Sequence, residues 1–408
     1  MAGTSHGSVD DIRGERLAGM ANVVKLILGS GSFALPWAFA QAGYVGGGIG
    51  VSVVALVATA TVWMLVVSKR ILSTEYNMNY AEVAGELLGH KWSVTVRTAT
   101  FLSCFGACAG YLTFIGGLFS EILDIRTTHV ILMIVPCFIF LSWVRTWKHL
   151  AFWSIFGNIC FFLAMAAVAV DASTIWLERG MKPSPSFVPF TSQTFPLFWG
   201  PAVFLFCIHY VALPIEREMQ HPDEFTSTVI PASFSFCALI NIIFGLGCYA
   251  AYGSSIKDNV LRNVGSGYLF TLTAVGLSVD LAITFTLMLA PAREYVEIAI
   301  LGDNPRVTKK NLLTKNLIRS VLVMFISSVA IAVPNFALLI GLAGGVTDTL
   351  QTFIIPPLLY VKALERSAKP ANLAVANAAA YAVAALGSIF MVWTLQSFCW
   401  KLWTGDLS

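Results

Sequence analysis

Four ionisable side chains stand inside runs apolar enough to lie in a bilayer: Lys25, His209, Asp280 and Asp348. A charge at that depth is costly, so such residues mark ion paths, proton relays or ligand counter-ions. His209 carries an imidazole whose ordinary pKa, about 6.5, lets it change charge between an acidic compartment and neutral cytoplasm. A histidine held neutral by hydrogen bonds is the rival reading. Asp348 could pair with His209 or carry a proton itself. Lys25 either serves an ion site or snorkels its ammonium to the interface.

The elements that must position these groups are two interrupted spans. The first, Asn22 to Gly43, has Gly29-Ser30-Gly31-Ser32 at its middle and Pro36 one turn later. With no water to satisfy freed backbone groups, such a break is tolerated only where it faces protein or a polar cavity. The bland alternative is a kinked helix using small residues for close packing. A second stretch, Phe204 to His221, repeats Ala34-Leu35-Pro36 as Ala212-Leu213-Pro214, about half a chain later. Interrupted helices in corresponding positions of two halves point to an inverted-repeat transporter with a midplane site. N–H groups from Ser30 to Phe33, with Gly29 and Gly31 leaving the backbone bare, would face a carboxylate. Carbonyls of Cys207, Ile208 and His209 would meet an ammonium. The Ser30 and Ser32 hydroxyls either assist or merely pack.

The 408 residues are 57% hydrophobic and only 12% charged, with mean hydropathy +0.76. Soluble domains carry about twice that charge, so this is an integral membrane protein. A net charge of +3 gives no argument for nucleic acid. The eight cysteines lie in or beside apolar runs without metal-ligand spacing, and no metal or cofactor is expected. No nucleophile–base motif or phosphate loop suggests an enzyme, and no repeating charge rings suggest a channel. About eleven spans of roughly 20 residues can be drawn, an all-α architecture. Asn79 to Leu88 reads as a short amphipathic helix suited to a membrane surface. Lys69, Arg70, Lys91, Arg97, Arg217, Lys315, Lys362 and Arg366 fall on the side of the N-terminus. Only Arg126, Arg179, Lys182, Lys257, Arg262 and Lys401 fall on the other. That bias places the N-terminus in the cytosol and the C-terminus outside it. Glu216, Arg217 and Glu218 read as a cytoplasmic gate or as surface pairs.

The first span, with Asn22, Lys25, Gly29-Ser30-Gly31, Ala34-Leu35-Pro36, Phe39 and Gly43, resembles the amino acid/auxin permease family. So do Phe206-Cys207, Leu213-Pro214-Ile215-Glu216, Glu218-Met219 and His221-Pro222-Asp223-Glu224-Phe225. Thr284-Phe285, Leu287-Met288, Pro291, Val333-Pro334-Asn335 and Pro356-Pro357-Leu358-Leu359-Tyr360 extend the likeness over nearly the whole chain. The closest flavour is the vacuolar and lysosomal branch. The resemblance implies an APC/LeuT fold of five plus five inverted repeats with broken helices 1 and 6 and an eleventh helix. It implies a disordered cytosolic tail over 1–15, repeats over 16–170 and 196–361, a non-cytosolic connection over 171–195, and the last helix within 362–408. It also implies amino acid transport driven by protons or, in some branches, sodium. Lys25 then stands near where sodium sits in sodium-driven relatives, with Asp280 and Thr284 as acceptors for its ammonium. Phe33, Tyr111, Phe114, Phe206, Tyr210 and Phe285 would shape the side-chain pocket. Two departures matter: Ile208-His209-Tyr210 replaces the usual Phe-Glu-Gly, and Asp348 replaces a small residue.

The expectation is proton-coupled symport of small or medium neutral amino acids by a monomer. The membrane is vacuolar, lysosomal or plasma. A sodium-coupled transporter and an amino-acid-sensing transceptor are the alternatives.

Overall fold

The computed structural model describes residues 9–72, 78–144, 150–265, 267–302, 309–367 and 373–404. Its first half holds α1 (Val9–Ile27), α2 (Gly31–Ala42), α3 (Tyr44–Leu72), α4 (Tyr80–Leu88), α5 (His90–Leu123), α6 (Thr127–Trp143) and α7 (Leu150–Glu178). The second half holds α8 (Phe195–Phe206), α9 (His209–Glu218), α10 (Ile230–Tyr252), α11 (Tyr268–Leu301), α12 (Lys309–Ala332), α13 (Phe336–Leu342), α14 (Ile355–Arg366) and α15 (Leu373–Thr404). A π turn, Phe225–Val229, precedes α10, and two more, Ala343–Asp348 and Leu350–Ile354, join α13 to α14. No strand occurs among the described residues.

Nine stretches among the described residues are long and apolar enough to cross a membrane, and α1 with α2 form a tenth, bent by 58°. The 17-residue α6 is a shorter apolar helix, at the low end of the range of about 17–25 that spans a bilayer. Against the eleven spans expected from sequence, nine stand by length among the described residues, ten with the bent pair, and α6 is the short remaining element. Helix α1 begins at Val9, inside the tail expected over 1–15, of which residues 1–8 lie outside the described residues.

The short helix near Asn79 needs a correction. Asn79 caps α4, accepting from the Glu82 N–H while Glu82 returns a bond to the Asn79 N–H, a capping box that satisfies two end donors. Its apolar face, with Tyr80, Val83, Ala84 and Leu87, is buried and packs on α5 and α14. The Tyr80 hydroxyl donates to the Gln351 carbonyl at 2.8 Å. The amphipathic pattern was real, but its partner is the tenth span, where a carbonyl freed by the π turn needs a donor.

The centre is built by α2 and α8. Ten of the twelve residues of α2 are buried. Without a hydrophobic force between helices in lipid, close approach depends on small residues and van der Waals fit. Phe39 fills the notch left by Gly47 of α3 and Gly245 of α10, and Phe198 that left by Gly50 of α3. The rings of Phe39 and Phe198 meet edge to face at 6.3 Å. Helix α8 touches the tenth span through bare backbone. A Cβ on Gly200 would overlap the Gly341 carbonyl oxygen, and one on Gly344 would overlap the Gly200 carbonyl oxygen.

That contact predicts the response to one added methyl. Gly200→Ala should cost roughly 3 kcal/mol, read as a lower melting temperature of the detergent-purified protein. A melting temperature equal to that of the unsubstituted chain would show that the two spans part without penalty.

Candidate functional site

The first break runs from Leu28 to Ser30. The N–H groups of Ser32 and Phe33 turn back onto the carbonyls of Gly29 and Ser30, each at 3.0 Å. The N–H groups of Gly29, Ser30 and Gly31 have no backbone acceptor among the described residues. The bare donors therefore lie slightly earlier than the Ser30–Phe33 expectation. Ser30 is buried, and Ser32 is fully buried with a hydroxyl that lacks a hydrogen-bond partner.

The second break takes two residues. Helix α8 stops at Phe206, the chain turns through Cys207 and Ile208, and α9 begins at His209. The last carbonyls of a helix have no intrahelical partner. Here the end of α8 presents them opposite the start of α2: the Cα of Gly31 approaches Phe204 and Leu205 so closely that a Cβ would lie 3.2 Å from the Phe204 ring. A positive helix start and a negative helix end thus meet inside the bundle, an arrangement suited to a small zwitterion.

The histidine and the aspartate stand on either side of Cys207. His209 is fully buried. Its Nε2 lies 3.0 Å from the Thr61 hydroxyl of α3 and its Nδ1 3.3 Å from that of Thr352. Thr61 Oγ1 reaches the carbonyls of Val57 at 3.0 Å and Ala58 at 3.1 Å, so its proton goes there and its oxygen accepts from Nε2–H. Nδ1 then accepts from Thr352. This assigns one neutral tautomer. Asp348 is 1% exposed and takes hydrogen bonds from Ser103 and Cys207, with the Thr347 hydroxyl also within reach of its carboxyl. Thr352 also bonds the Cys207 thiol. His209 and Asp348 are joined through Thr352 and Cys207, and both ring nitrogens of the imidazole face hydroxyls.

Lys25 and Asp280 are brought close enough for their charges to interact. Gly157 of α7 leaves the room that the Asp280 carboxylate fills, and Thr284 sits one turn further along α11. Tyr111 is buried within electrostatic reach of Asp280 and Cys108. Tyr210 lies within reach of Asp348, Cys104 and Tyr111.

The family model described as transmembrane amino acid transporter protein matches residues 14–399. The chain belongs to that family. It is 31% identical over 369 residues to the amino acid transporter AVT3C of Arabidopsis thaliana, covering 84% of this chain and 81% of that one. It is 27% identical over 355 residues to the vacuolar amino acid transporter 3 of Saccharomyces cerevisiae, covering 84% and 50%. The proton-coupled amino acid transporter-like protein pathetic of Drosophila melanogaster is 24% identical over 360 residues, covering 83% and 74%. The chain is a multi-pass membrane transporter of the vacuolar amino acid/auxin permease branch, and not an enzyme.

Several aromatics of this transporter serve packing around the site. Phe33 is fully buried among Phe114, Phe161 and Phe244, with ring centres 5.9, 5.4 and 6.2 Å away. Phe206 packs on Phe234 at 5.6 Å and Phe285 on Phe138 at 4.8 Å. Gly106 and Gly110, before Tyr111, admit Ala343 and Ile340 of the tenth span. Tyr111, Tyr210, Cys207 and Asp348 form the more polar group.

Ionic clusters close both ends of the transporter. Glu216, read from sequence as a gate or surface residue, is fully buried. It takes Lys69 at 3.1 Å, itself 2% exposed, and Arg70 at 2.9 Å. Arg70 also reaches Asp223 at 2.7 Å. Nearby, α1 is tied to the connection before α10 by Arg16–Glu224 at 2.8 Å and Glu15–His221 at 2.7 Å. At the other end Glu121 binds Lys257 and Arg262, both at 2.9 Å. Arg262 also binds Asp258 at 2.9 Å, whose second oxygen accepts the Phe336 N–H at 2.6 Å.

Sequence reasoning missed Thr61, Thr352, Ser103 and the Lys69–Glu216 pair. Single hydroxyls in apolar runs give little signal, and Lys69 was read as part of a basic cytosolic flank. Glu216→Gln leaves Lys69 buried beside a neutral amide, at a cost of about 3–5 kcal/mol. The detergent melting temperature should fall accordingly, and Lys69→Met combined with Glu216→Leu should recover most of the loss.

Proposed function

We propose that this transporter is a secondary active carrier that moves small or medium neutral amino acids together with protons by alternating access. The observation that carries the reading is the meeting of two helix breaks. Gly29, Ser30 and Gly31 keep N–H groups without a backbone acceptor among the described residues, and Gly31 lies against the side chains of Phe204 and Leu205, at the carbonyl end of α8. Such ends bind the carboxylate and the ammonium of an amino acid without any dedicated side-chain charge. Ser30, Ser32, Tyr111, Cys207, Ile208, His209 and Tyr210 then contribute the pocket wall, with Phe33 and Phe206 buttressing it from behind.

The breaks fall in the first and sixth spans, which supports two five-span repeats over 16–170 and 196–361 and a rocking motion about a fixed site. The connection expected over 171–195 is shortened by α7, which continues to Glu178; it and the last helix within 362–408 would complete the chain, working as a monomer. The basic bias supports a cytosolic N-terminus, and relatives named for the vacuole support a vacuolar or lysosomal membrane.

Coupling is assigned to protons. The Lys25 ammonium beside Asp280 and Thr284 supplies a fixed positive charge where a sodium ion would otherwise be needed. Asp348, in contact with Ser103, Cys207 and Thr347, is the group that loads and unloads the proton. His209 holds the break in shape beside it.

The reading is tested by uptake of a labelled amino acid panel into proteoliposomes under an imposed pH gradient, then under a sodium gradient alone. One pH unit is worth about 1.4 kcal/mol per proton, so one-to-one coupling should concentrate substrate up to about tenfold. Accumulation under sodium alone would reassign the ion site to Thr284 and the carbonyls of the first break. Binding without uptake under either gradient would favour a sensor.

A further inference from the structure

Asp348 has an oxygen left over. It lies in the π turn Ala343–Asp348 within the tenth span and is 1% exposed. Ser103 and Cys207 bond to its carboxyl, the neighbouring Thr347 hydroxyl gives its proton to the Ala343 carbonyl at 2.7 Å, and Oδ1 has no hydrogen-bond partner. All three groups are uncharged. A carboxylate so placed needs a full positive charge, because neutral donors do not repay the removal of an ion from water. The fixed cations around the site are committed elsewhere: Lys25 to Asp280 and Lys69 to Glu216. The His209 ring nitrogens face two hydroxyls. The titratable side chains within reach of Asp348 are Cys104 of α5, Cys207 at the break and Tyr210 of α9, and none of them supplies a positive charge. The missing charge must then arrive with the cargo. Cys207 sits at the break where the amino acid binds, so Asp348 stands next to that cargo.

We propose that Asp348 takes up one positive charge in each cycle. That charge is either a proton accompanying a neutral amino acid or, in its place, the side-chain cation of a basic amino acid. The proposal rests on the proton-coupled reading and extends its substrate class. With a neutral substrate, Asp348 accepts a proton from the loading side and releases it on the other. With a basic substrate, the side-chain ammonium donates a hydrogen bond to Oδ1 and no proton moves. Both loaded states carry the same charge across the membrane.

The test uses the purified full chain in proteoliposomes containing a pH-sensitive dye, with labelled L-alanine and L-lysine as probes. Alanine uptake should acidify the lumen. Lysine uptake should leave the dye unchanged, run on an inside-negative potential at equal pH, and be inhibited by alanine. Asp348→Asn should reduce lysine uptake and alanine-linked acidification by more than about tenfold, as expected for loss of a buried ion pair. Asp348→Glu should restore part of both. The proposal is overturned if lysine neither enters nor competes while alanine still carries protons. Lysine entering with a proton, or Asp348→Asn keeping both activities, overturns it equally. Should both variants fail to fold, the wild-type dye signals for alanine against lysine still decide. If alanine is not taken up under a pH gradient at all, the carrier reading itself fails, and that result resembles none of the others.

Discussion

In the core of a bilayer no water is available, so every backbone N–H and C=O must find a partner within the protein or mark a place where the protein keeps it for something else. The whole arrangement follows from this constraint. Most helices meet it by closing their own ladder. The tenth span opens its ladder in two π turns and repairs it with side chains. Tyr80 reaches the Gln351 carbonyl, Thr347 that of Ala343 and Thr349 that of Gly344. The first and sixth spans leave theirs open where they face one another. The two open ends are the groups to which the proposed zwitterion site is assigned.

Charge follows the same logic. Lys69, Arg70 and Glu216 at one end, and Glu121, Asp258, Lys257 and Arg262 at the other, bind loops and helix ends into compact clusters. These pairs join elements that the proposed alternating motion would separate. Their burial, more than their number, gives them weight, since exposed pairs contribute little. Asp348 differs from all of them in having only uncharged hydrogen-bond partners.

Packing decides how precisely the breaks are held. Aromatic rings in glycine notches lock α2 against α3 and α10, and bare backbone contact locks α8 against the tenth span. His209 adds a polar clamp between α3 and the second π turn. The geometry of the two breaks is therefore set largely by packing contacts around them.

The sequence alone determined the membrane class, the two interrupted spans and the burial of His209 and Asp348, whereas Lys25 is exposed and Asp280 half-buried. Hydropathy, small-residue runs and isolated ionisable residues are local signals, and a bilayer penalises each so strongly that it stands out. The family was also legible, in Ala34-Leu35-Pro36 and in the stretch from Phe206 to Phe225. Only the tertiary structure decided which groups meet. It put α4 against α5 and the tenth span, buried Glu216 with Lys69, and placed hydroxyls rather than Asp348 at both nitrogens of His209. The π turns were invisible because Ala343 to Ile354 carries no residue that forbids an ordinary helix. What widens it is the need to pass Gly200 at backbone distance, and such contacts between residues far apart in the chain leave no local trace.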